Sequence, residues 1–471
     1  MKNQIMLITY ADSMGGNLAA LRRVLHRYFA GCIGSVHILP FFPSSADRGF
    51  APICYDRVDP QFGTYADIRA LSGDYDLMFD FMINHLSRQS PQFRDFAAKK
   101  DASSYRDFFI RTAKFWPDGV PTAAQRDAVY KRKPRAPETE IAFADGSRET
   151  LWCTFGEEQI DLNLDSPAVR TFIRENLACL CRHGASMIRL DAFAYAIKKP
   201  GGSCFFEEPD IWTLLEWVSR ITAPYNVELL PEVHEKSDIQ MKLAERGWWI
   251  YDFALPMLTL HAIYACDGQY LCDWLARSPN RQFTTLDTHD GIGVVDVRGL
   301  LPDDAIDFTQ AQLFTRGANV KRVYNTAAYG NLDLYQINTT YYAALGGDDD
   351  AYLLARAIQF FAKGIPQVYY VGLLAGENDT ALLERTRNGR DINRHNYTES
   401  EIDDTVRRPV VVRLQELMRF RNTHPAFALE GTLEIAQPRP SEIVLTRRNG
   451  THWARLEADL AARRFRITKS G

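Results

Sequence analysis

The sequence predicts an α/β chain built as a parallel (β/α)8 barrel, the TIM barrel. It also predicts two insertions at the C-terminal face of the strands and a small C-terminal antiparallel β domain. Three observations carry this reading. Eight short apolar runs recur along the chain: Ile5–Tyr10, Val36–Pro40, Leu77–Asn84, Ser186–Ala192, Glu228–Val233, Trp249–Leu255, Gln282–Asp287 and Gln367–Gly372. Most are nearly continuous in apolar residues, which suits strands buried on both faces. Helical patterns lie between several of them, and strands alternating with helices give a parallel sheet.

In chain order, Ile5–Tyr10 is too short for the apolar core of a signal peptide and reads as a buried strand, so a cytoplasmic protein is expected. The first helical pattern is Leu18–Phe29, with Asn17 placed to cap it, and the second is Ala66–Ser72. Pro167–Arg182 follows Ser166-Pro167, a cap residue with a first-turn proline, and Asp210–Ile221 is the next helix. Two gaps are too long for simple βα connections, and each leaves the C-terminal end of a strand, where barrel active sites are built. The expected division is barrel over 1–85, an inserted subdomain over 86–166, barrel over 167–290, a second insertion over 291–350, barrel over 351–423 and a β domain over 424–471. In that tail, Thr432–Ile435, Glu442–Arg447 and Thr451–Glu457 alternate, and Asn449-Gly450 marks a hairpin turn.

Composition narrows the function classes. Of 471 residues, 46% are apolar and 24% charged, which supports a large core and excludes global disorder. Acids outnumber bases 59 to 55, so the basic excess of a nucleic-acid binder is missing. No apolar run approaches the ~18 residues that cross a bilayer, and no membrane is expected. The eight cysteines are scattered without a CxxC pair and are expected as reduced core residues. Cys179 and Cys181, two apart in a helix, make a poor metal pair, and Asp348-Asp349-Asp350 reads as a helix start; no metal and no cofactor are expected.

Three carboxylates stand at the ends of expected strands. Asp191 ends Ile188-Arg189-Leu190-Asp191, Glu232 ends Leu229-Leu230-Pro231-Glu232, and Asp290 ends Leu286-Asp287-Thr288-His289-Asp290. A barrel would bring all three to one mouth. Glycoside chemistry needs such a set: a carboxylate to attack the anomeric carbon, an acid to protonate the leaving oxygen, and charge to balance an oxocarbenium-like transition state. Arg189, His234 and His289 flank them, and a scaffold has no use for that combination.

These residues resemble the signatures of the α-amylase superfamily, glycoside hydrolase family 13. Asp80-Phe81-Met82-Ile83-Asn84-His85 resembles the first, Arg189-Leu190-Asp191 the second, Glu232 the acid/base of the third, and Thr288-His289-Asp290 the fourth. The resemblance is nearer still to the sucrose phosphorylase group. It runs through Met6–Asp12, Phe41–Ser44, Asp47–Phe50, Tyr251–Pro256, Leu286–Val295, Asn331–Gln336, Pro366–Gly372 and Asn388–His395, and thins after about 430. Thr288 and Ala194-Tyr195 stand where amylases commonly have Asn and Lys-His, which argues against a long glucan substrate.

The resemblance implies a retaining double displacement in which sucrose and inorganic phosphate give α-D-glucose 1-phosphate and fructose. Asp191 would be nucleophile, Glu232 acid/base, and Asp290 the stabiliser of the transition state. Asp47, His85, Arg189, His234, His289, Asp333 and Arg390 would grip sugar, Phe50, Phe155 and Tyr195 would supply apolar wall, and Gln336 would meet fructose. Phosphate would meet Tyr335 and either Arg135 or Lys133, with the register of the Tyr130–Arg135 run leaving both open. Glu232 needs a setting that keeps it protonated near neutral pH. Phosphorylases of sucrose 6′-phosphate, glucosylglycerol or glucosylglycerate and a sucrose hydrolase are the alternatives. The oligomeric state has no signature in the sequence.

Overall fold

The computed structural model describes residues 1–131, 135–318 and 336–471. The chain divides into two compact units. One holds Met1–His37 with the described residues from His234 onward, and the other is Ile38–Val233. Along the chain, eight short parallel strands alternate with helices: Met6–Thr9, Ser35–Ile38, Asp76–Met82, Ala185–Asp191, Glu228–Pro231, Ile250–Asp252, Gln282–Thr284 and Ile365–Tyr369.

In the Ile38–Val233 unit, Ala185–Asp191 lies between Asp76–Met82 and Glu228–Pro231, parallel to both. Met82 pairs with Asp191, Asp80 with Arg189, and Arg189 with Leu230. The Glu232 amide extends the ladder by donating to the Leu190 carbonyl at 3.0 Å. The register therefore carries Asp191 and Glu232 to the same strand ends. The helix Pro167–Arg182 buries Val169, Phe172, Ile173, Leu177 and Leu180, the spacing of one helical face. Its proline sits at the first turn as expected, but the Ser166 side chain makes no cap hydrogen bond.

After Asp76–Met82 the same unit carries a mixed segment. A strand pair His85–Ser87 with Gln159–Asp161 and a hairpin Glu138–Ala142 with Arg148–Trp152 are both antiparallel. The helix Pro91–Lys99 is capped by Ser90, whose side chain accepts from the Phe93 amide. Ile110, Trp116, Val129, Trp152 and Cys204 form its apolar cluster.

In the other unit, Ile250–Asp252 pairs with Gln282–Thr284, which pairs with Ile365–Tyr369, which pairs with Met6–Thr9, all parallel. Asn17 caps Leu18–Tyr28 by accepting from the Ala20 amide. The expected strand Trp249–Leu255 is shorter than read: Leu255 opens the helix Leu255–Ala265, and Asp252 accepts its amide at 3.0 Å. That helix is buried nearly all round, so its apolar run continues the strand's without a break. Likewise Tyr370–Leu373 is a helical turn, not the end of a strand. Arg356, fully buried on Asp349–Phe361, holds both oxygens of Asp287 at 2.8 and 2.7 Å. Asp348 caps that helix through the amides of Asp350 and Ala351.

The tail is a four-stranded antiparallel sheet: Thr432–Arg439, Glu442–Asn449, His452–Asp459 and Arg464–Lys469. The last strand was not among those expected. The hairpin turn falls one residue later than read: Asn449 pairs with His452, and Gly450, at φ 57°, takes the first turn position. There a glycine tolerates the left-handed backbone that a two-residue turn demands. No helix among the described residues is long and apolar enough to cross a membrane.

Candidate active site

Within the Ile38–Val233 unit, one buried guanidinium gathers three carboxylates. Arg189 Nη1 donates to Asp80 Oδ1 at 2.5 Å and to Asp191 Oδ1 at 2.9 Å. Its Nη2 lies 3.3 Å from Glu232 Oε1. The Asp191 neighbour Ala192 adopts a left-handed conformation, φ 52° and ψ 32°, and its amide donates to Glu232 Oε2 at 2.8 Å. Burial raises the Asp191 pKa most; Arg189 opposes it, and the Glu232 and Asp80 charges add to it. The balance pushes Asp191 up to about 8. A fixed cation thus orients two strand-end acids while the low-dielectric setting keeps a proton close to them.

Around this cluster lie four of the aromatic and imidazole residues singled out in the sequence, Phe50, His85, Phe155 and Tyr195. The Arg189 guanidinium lies 5.9 Å from the Phe50 ring. His85 Nε2 is 2.8 Å from the Phe50 carbonyl, and Gln159 Nε2 donates to the same oxygen at 2.9 Å. Burial lowers the His85 pKa, which favours a neutral ring. His85 and Phe155 meet edge to face at 5.6 Å, and Phe155 and Tyr195 at 5.1 Å. Asp47 opens a short turn in which it and Arg48 both have positive φ.

Lys198 braces the wall. Its ammonium, 2% exposed, donates to Asn84 Oδ1 at 2.7 Å and the Tyr195 carbonyl at 2.6 Å, and lies 2.7 Å from the fully buried Asp161. It joins the residue before His85, the segment after Asp191 and the Gln159–Asp161 strand. Arg135 is turned inward: Nη1 donates to the Glu138 carbonyl at 3.0 Å and Nη2 to the Phe155 carbonyl at 2.7 Å. Lys133, Asp333 and Tyr335 lie outside the described residues.

In the other unit, Asp290 is held by cations. Arg390 Nη1 lies 3.0 Å from Asp290 Oδ1, and His289 Nε2 3.9 Å from it. Burial alone would raise Asp290, but Arg390, His289, His234 and Arg394 outweigh it and hold the carboxyl far below the usual range. Arg394 Nε and Nη2 donate to the His289 carbonyl at 3.1 and 2.9 Å, and Asn393 Nδ2 to the carbonyls of Thr288 and Asp290, both at 3.3 Å. His234 stacks on Phe253 at 3.8 Å, with Nδ1 3.3 Å from Asp296 Oδ2. Gln336 pairs with Gly293 in a two-residue antiparallel ladder.

Sequence reasoning did not single out Asp80, Gln159, Asp161, Lys198, Phe253, Asp296, Asn393 or Arg394 as site residues. Asp80 had a signal, because it opens the Asp80–His85 motif and alternation aims it to the same side as Arg189. Lys198 had none: its three partners sit on separate segments, and only the folded chain assembles them.

Buried strand-end acids clasped by arginine define the class, a glycoside-active enzyme of the α-amylase type, and a family model for the alpha-amylase catalytic domain matches residues 28–245. The chain is 53% identical over 470 residues to a sucrose phosphorylase of Streptococcus mutans serotype c, covering 99% of this chain and 98% of that one. It is 46% identical to a sucrose 6(F)-phosphate phosphorylase of Thermoanaerobacterium thermosaccharolyticum, covering 95% and 92%. The crystal structure of a sucrose 6F-phosphate phosphorylase from Thermoanaerobacter thermosaccharolyticum superposes with a TM-score of 0.95 at 44% identity, over 100% of this chain and 97% of that one. The chain therefore belongs to the sucrose phosphorylase family of α-amylase-type enzymes, and its fold is the (β/α)8 barrel followed by an antiparallel sheet.

Proposed function

We propose that the protein is a sucrose phosphorylase, converting sucrose and inorganic phosphate reversibly into α-D-glucose 1-phosphate and D-fructose with retention at the anomeric carbon. One observation carries the reading: Asp191 and Glu232 share the Arg189 guanidinium at 2.9 and 3.3 Å, in a chain related to sucrose phosphorylases over nearly its whole length.

In the reacting form Asp191 is the anion and Glu232 carries the proton. Asp191 attacks the anomeric carbon as the bond to the fructosyl oxygen breaks, and Glu232 gives that oxygen its proton. Glu232, now ionised, takes the proton of the incoming phosphate, and phosphate oxygen displaces Asp191. Arg189 keeps both carboxyls oriented through the cycle, and binding of the sugar favours the form with the charge on Asp191 and the proton on Glu232. Asp290, kept ionised by Arg390, is assigned to the positive charge that develops on the ring. His85, His289, His234, Asp47 and Arg390 are assigned to sugar hydroxyls, and Phe50, Phe155 and Tyr195 to its apolar face. Gln336 and Asp333 are assigned to the fructosyl side, and Tyr335 with Arg135 or Lys133 to phosphate. An Arg135 that serves phosphate must exchange the Glu138 and Phe155 carbonyls for phosphate oxygens, which a guanidinium can do as a fork. Eight free cysteines fit a reducing compartment, and we place the enzyme in the cytoplasm.

The test is a panel of sucrose, sucrose 6′-phosphate, glucosylglycerol and glucosylglycerate, with and without phosphate, scored for glucose 1-phosphate. Sucrose should be the best substrate and only with phosphate. Preference for sucrose 6′-phosphate would move the assignment to that relative's activity, and glucose release independent of phosphate would make the protein a hydrolase.

A further inference from the structure

Most deeply buried arginines of this protein meet an acid. Arg356 has Asp287 at 2.7 Å, Arg189 has Asp80 at 2.5 Å, and Arg111 has Glu149 at 2.7 Å. Two others do not. Arg421, in the last turn of Pro409–Thr423, and Arg447, on Glu442–Asn449, are 2% and 1% exposed. Every hydrogen bond that either makes among the described residues goes to a neutral acceptor. Arg421 donates to Asn3 Oδ1 at 2.8 Å, the Asn3 carbonyl at 3.4 Å and the Gly364 carbonyl at 3.0 Å. Arg447 donates to the Ala428 carbonyl at 3.0 Å.

The two guanidiniums converge on one turn. Arg421 sits 5.1 Å from the Phe427 ring, and Arg447 bonds the next residue. Arg421 Nε and Arg447 Nε and Nη1 are buried with no acceptor among the described residues. A third cation is close by: Lys363, whose Nζ donates to the carbonyls of Ala276 and Ser278, feels the Arg447 charge. Burial, then Arg447, pushes Arg421 down to about 9, and burial pushes Arg447 down to about 10, so both stay charged at neutral pH. Unpaired buried charge is the costliest arrangement a fold can hold, and a guanidinium cannot escape it by losing its proton at neutral pH.

We propose that Arg421 and Arg447 bind a small monovalent anion of the halide class, accepted by their three unpartnered N–H groups. The surroundings select for that size and charge. A phenyl ring and neutral carbonyls enclose the guanidiniums, and a multiply charged, strongly hydrated oxyanion would lose far more hydration on entry than a halide. The anion would fasten the Pro409–Thr423 helix to the C-terminal sheet and takes no part in the chemistry of Asp191.

Bromide tests this directly. Crystals of the full chain grown in sodium bromide should show an anomalous peak within hydrogen-bond distance of both guanidiniums. In solution, protein dialysed into gluconate should melt higher as bromide replaces gluconate at constant ionic strength, rising about 2 °C or more and saturating. Arg447→Met should lose the peak and the bromide dependence while keeping sucrose turnover. Should that variant not fold, the wild-type pair of measurements still decides. Ordered water with no anomalous signal between the arginines overturns the proposal, and so does a bromide peak without any bromide dependence of melting, which is binding at crystal concentration only.

Discussion

Asp191, the last residue of its strand, and Asp290, six residues beyond the strand Gln282–Thr284, are the same side chain, and their surroundings drive them in opposite directions. Asp191 meets one arginine shared with two other acids, and burial pushes it up to about 8. Asp290 meets Arg390, His289, His234 and Arg394 with no competing acid among its main influences, and is held far down. Burial acts alike on both; the count and sign of neighbouring charges decide. In the proposed mechanism the first position supplies the acid that bonds covalently and leaves again, and the second supplies a permanent charge.

The sharpest way to break this comparison is to remove each acid's charge. Asp191→Asn should cost about four orders of magnitude or more in turnover of sucrose, because an amide cannot form the glucosyl ester. A residual activity near a hundredth of wild type would rule out the covalent role. Asp290→Asn should cost less, about two to three orders, as expected for a lost electrostatic partner. Its kcat/KM should fall while trapping of a glucosyl-enzyme remains detectable. Glu232→Gln should separate leaving groups: fluoride from α-glucosyl fluoride needs little protonation, so the variant should process it far better than sucrose. Equal losses on both would remove Glu232 as the acid.

Stability against pH sharpens the same contrast. Burial pushes Asp191 in the folded protein up to about 8, against about 4 for a carboxyl in the unfolded chain. Between those values the unfolded chain has already released the proton that the fold retains, so this group makes stability fall as pH rises from about 4 to 8. Asp191→Asn removes that term, and its melting temperature should gain on wild type steadily across the window. Asp290 works in reverse: its contribution is present above about pH 4 and fades only as pH falls below that. The smallest effects should come from two helix starts. Asn17→Ala should cost about 1 kcal/mol, because Asn17 accepts from the Ala20 amide, whereas Ser166→Ala should stay within about 0.5 kcal/mol, because Ser166 caps nothing. Denaturant melts of both variants check this.

Much of the fold was legible because parallel strands buried on both faces leave continuous apolar runs. The same continuity hid the boundaries. Nothing in Trp249–Leu255 says that Leu255 begins a helix, since that helix is apolar on every side. Arg464–Lys469 was missed because cationic residues alternate with Phe465 and Ile467 on an edge strand, diluting the apolar signal. The site was legible where a motif is local, as in Arg189-Leu190-Asp191. It was not where contacts join distant segments, as at Lys198 with Asn84 and Asp161, or Arg394 with His289. Charge balance was equally hidden: the family resemblance gave Glu232 the proton, whereas the described geometry concentrates burial and negative charge on Asp191.

Ala192 has a consequence for anyone diversifying this enzyme. Its left-handed backbone aims an amide at Glu232, and only residues that accept such a backbone can keep that amide in place. Glycine and asparagine qualify; valine, isoleucine and threonine do not. A combinatorial library seeking new leaving groups should hold codon 192 nearly fixed and spend its diversity on the fructosyl side, at Gln336 and Asp333. Drift at position 192 would be filtered by backbone shape before any sugar is tested.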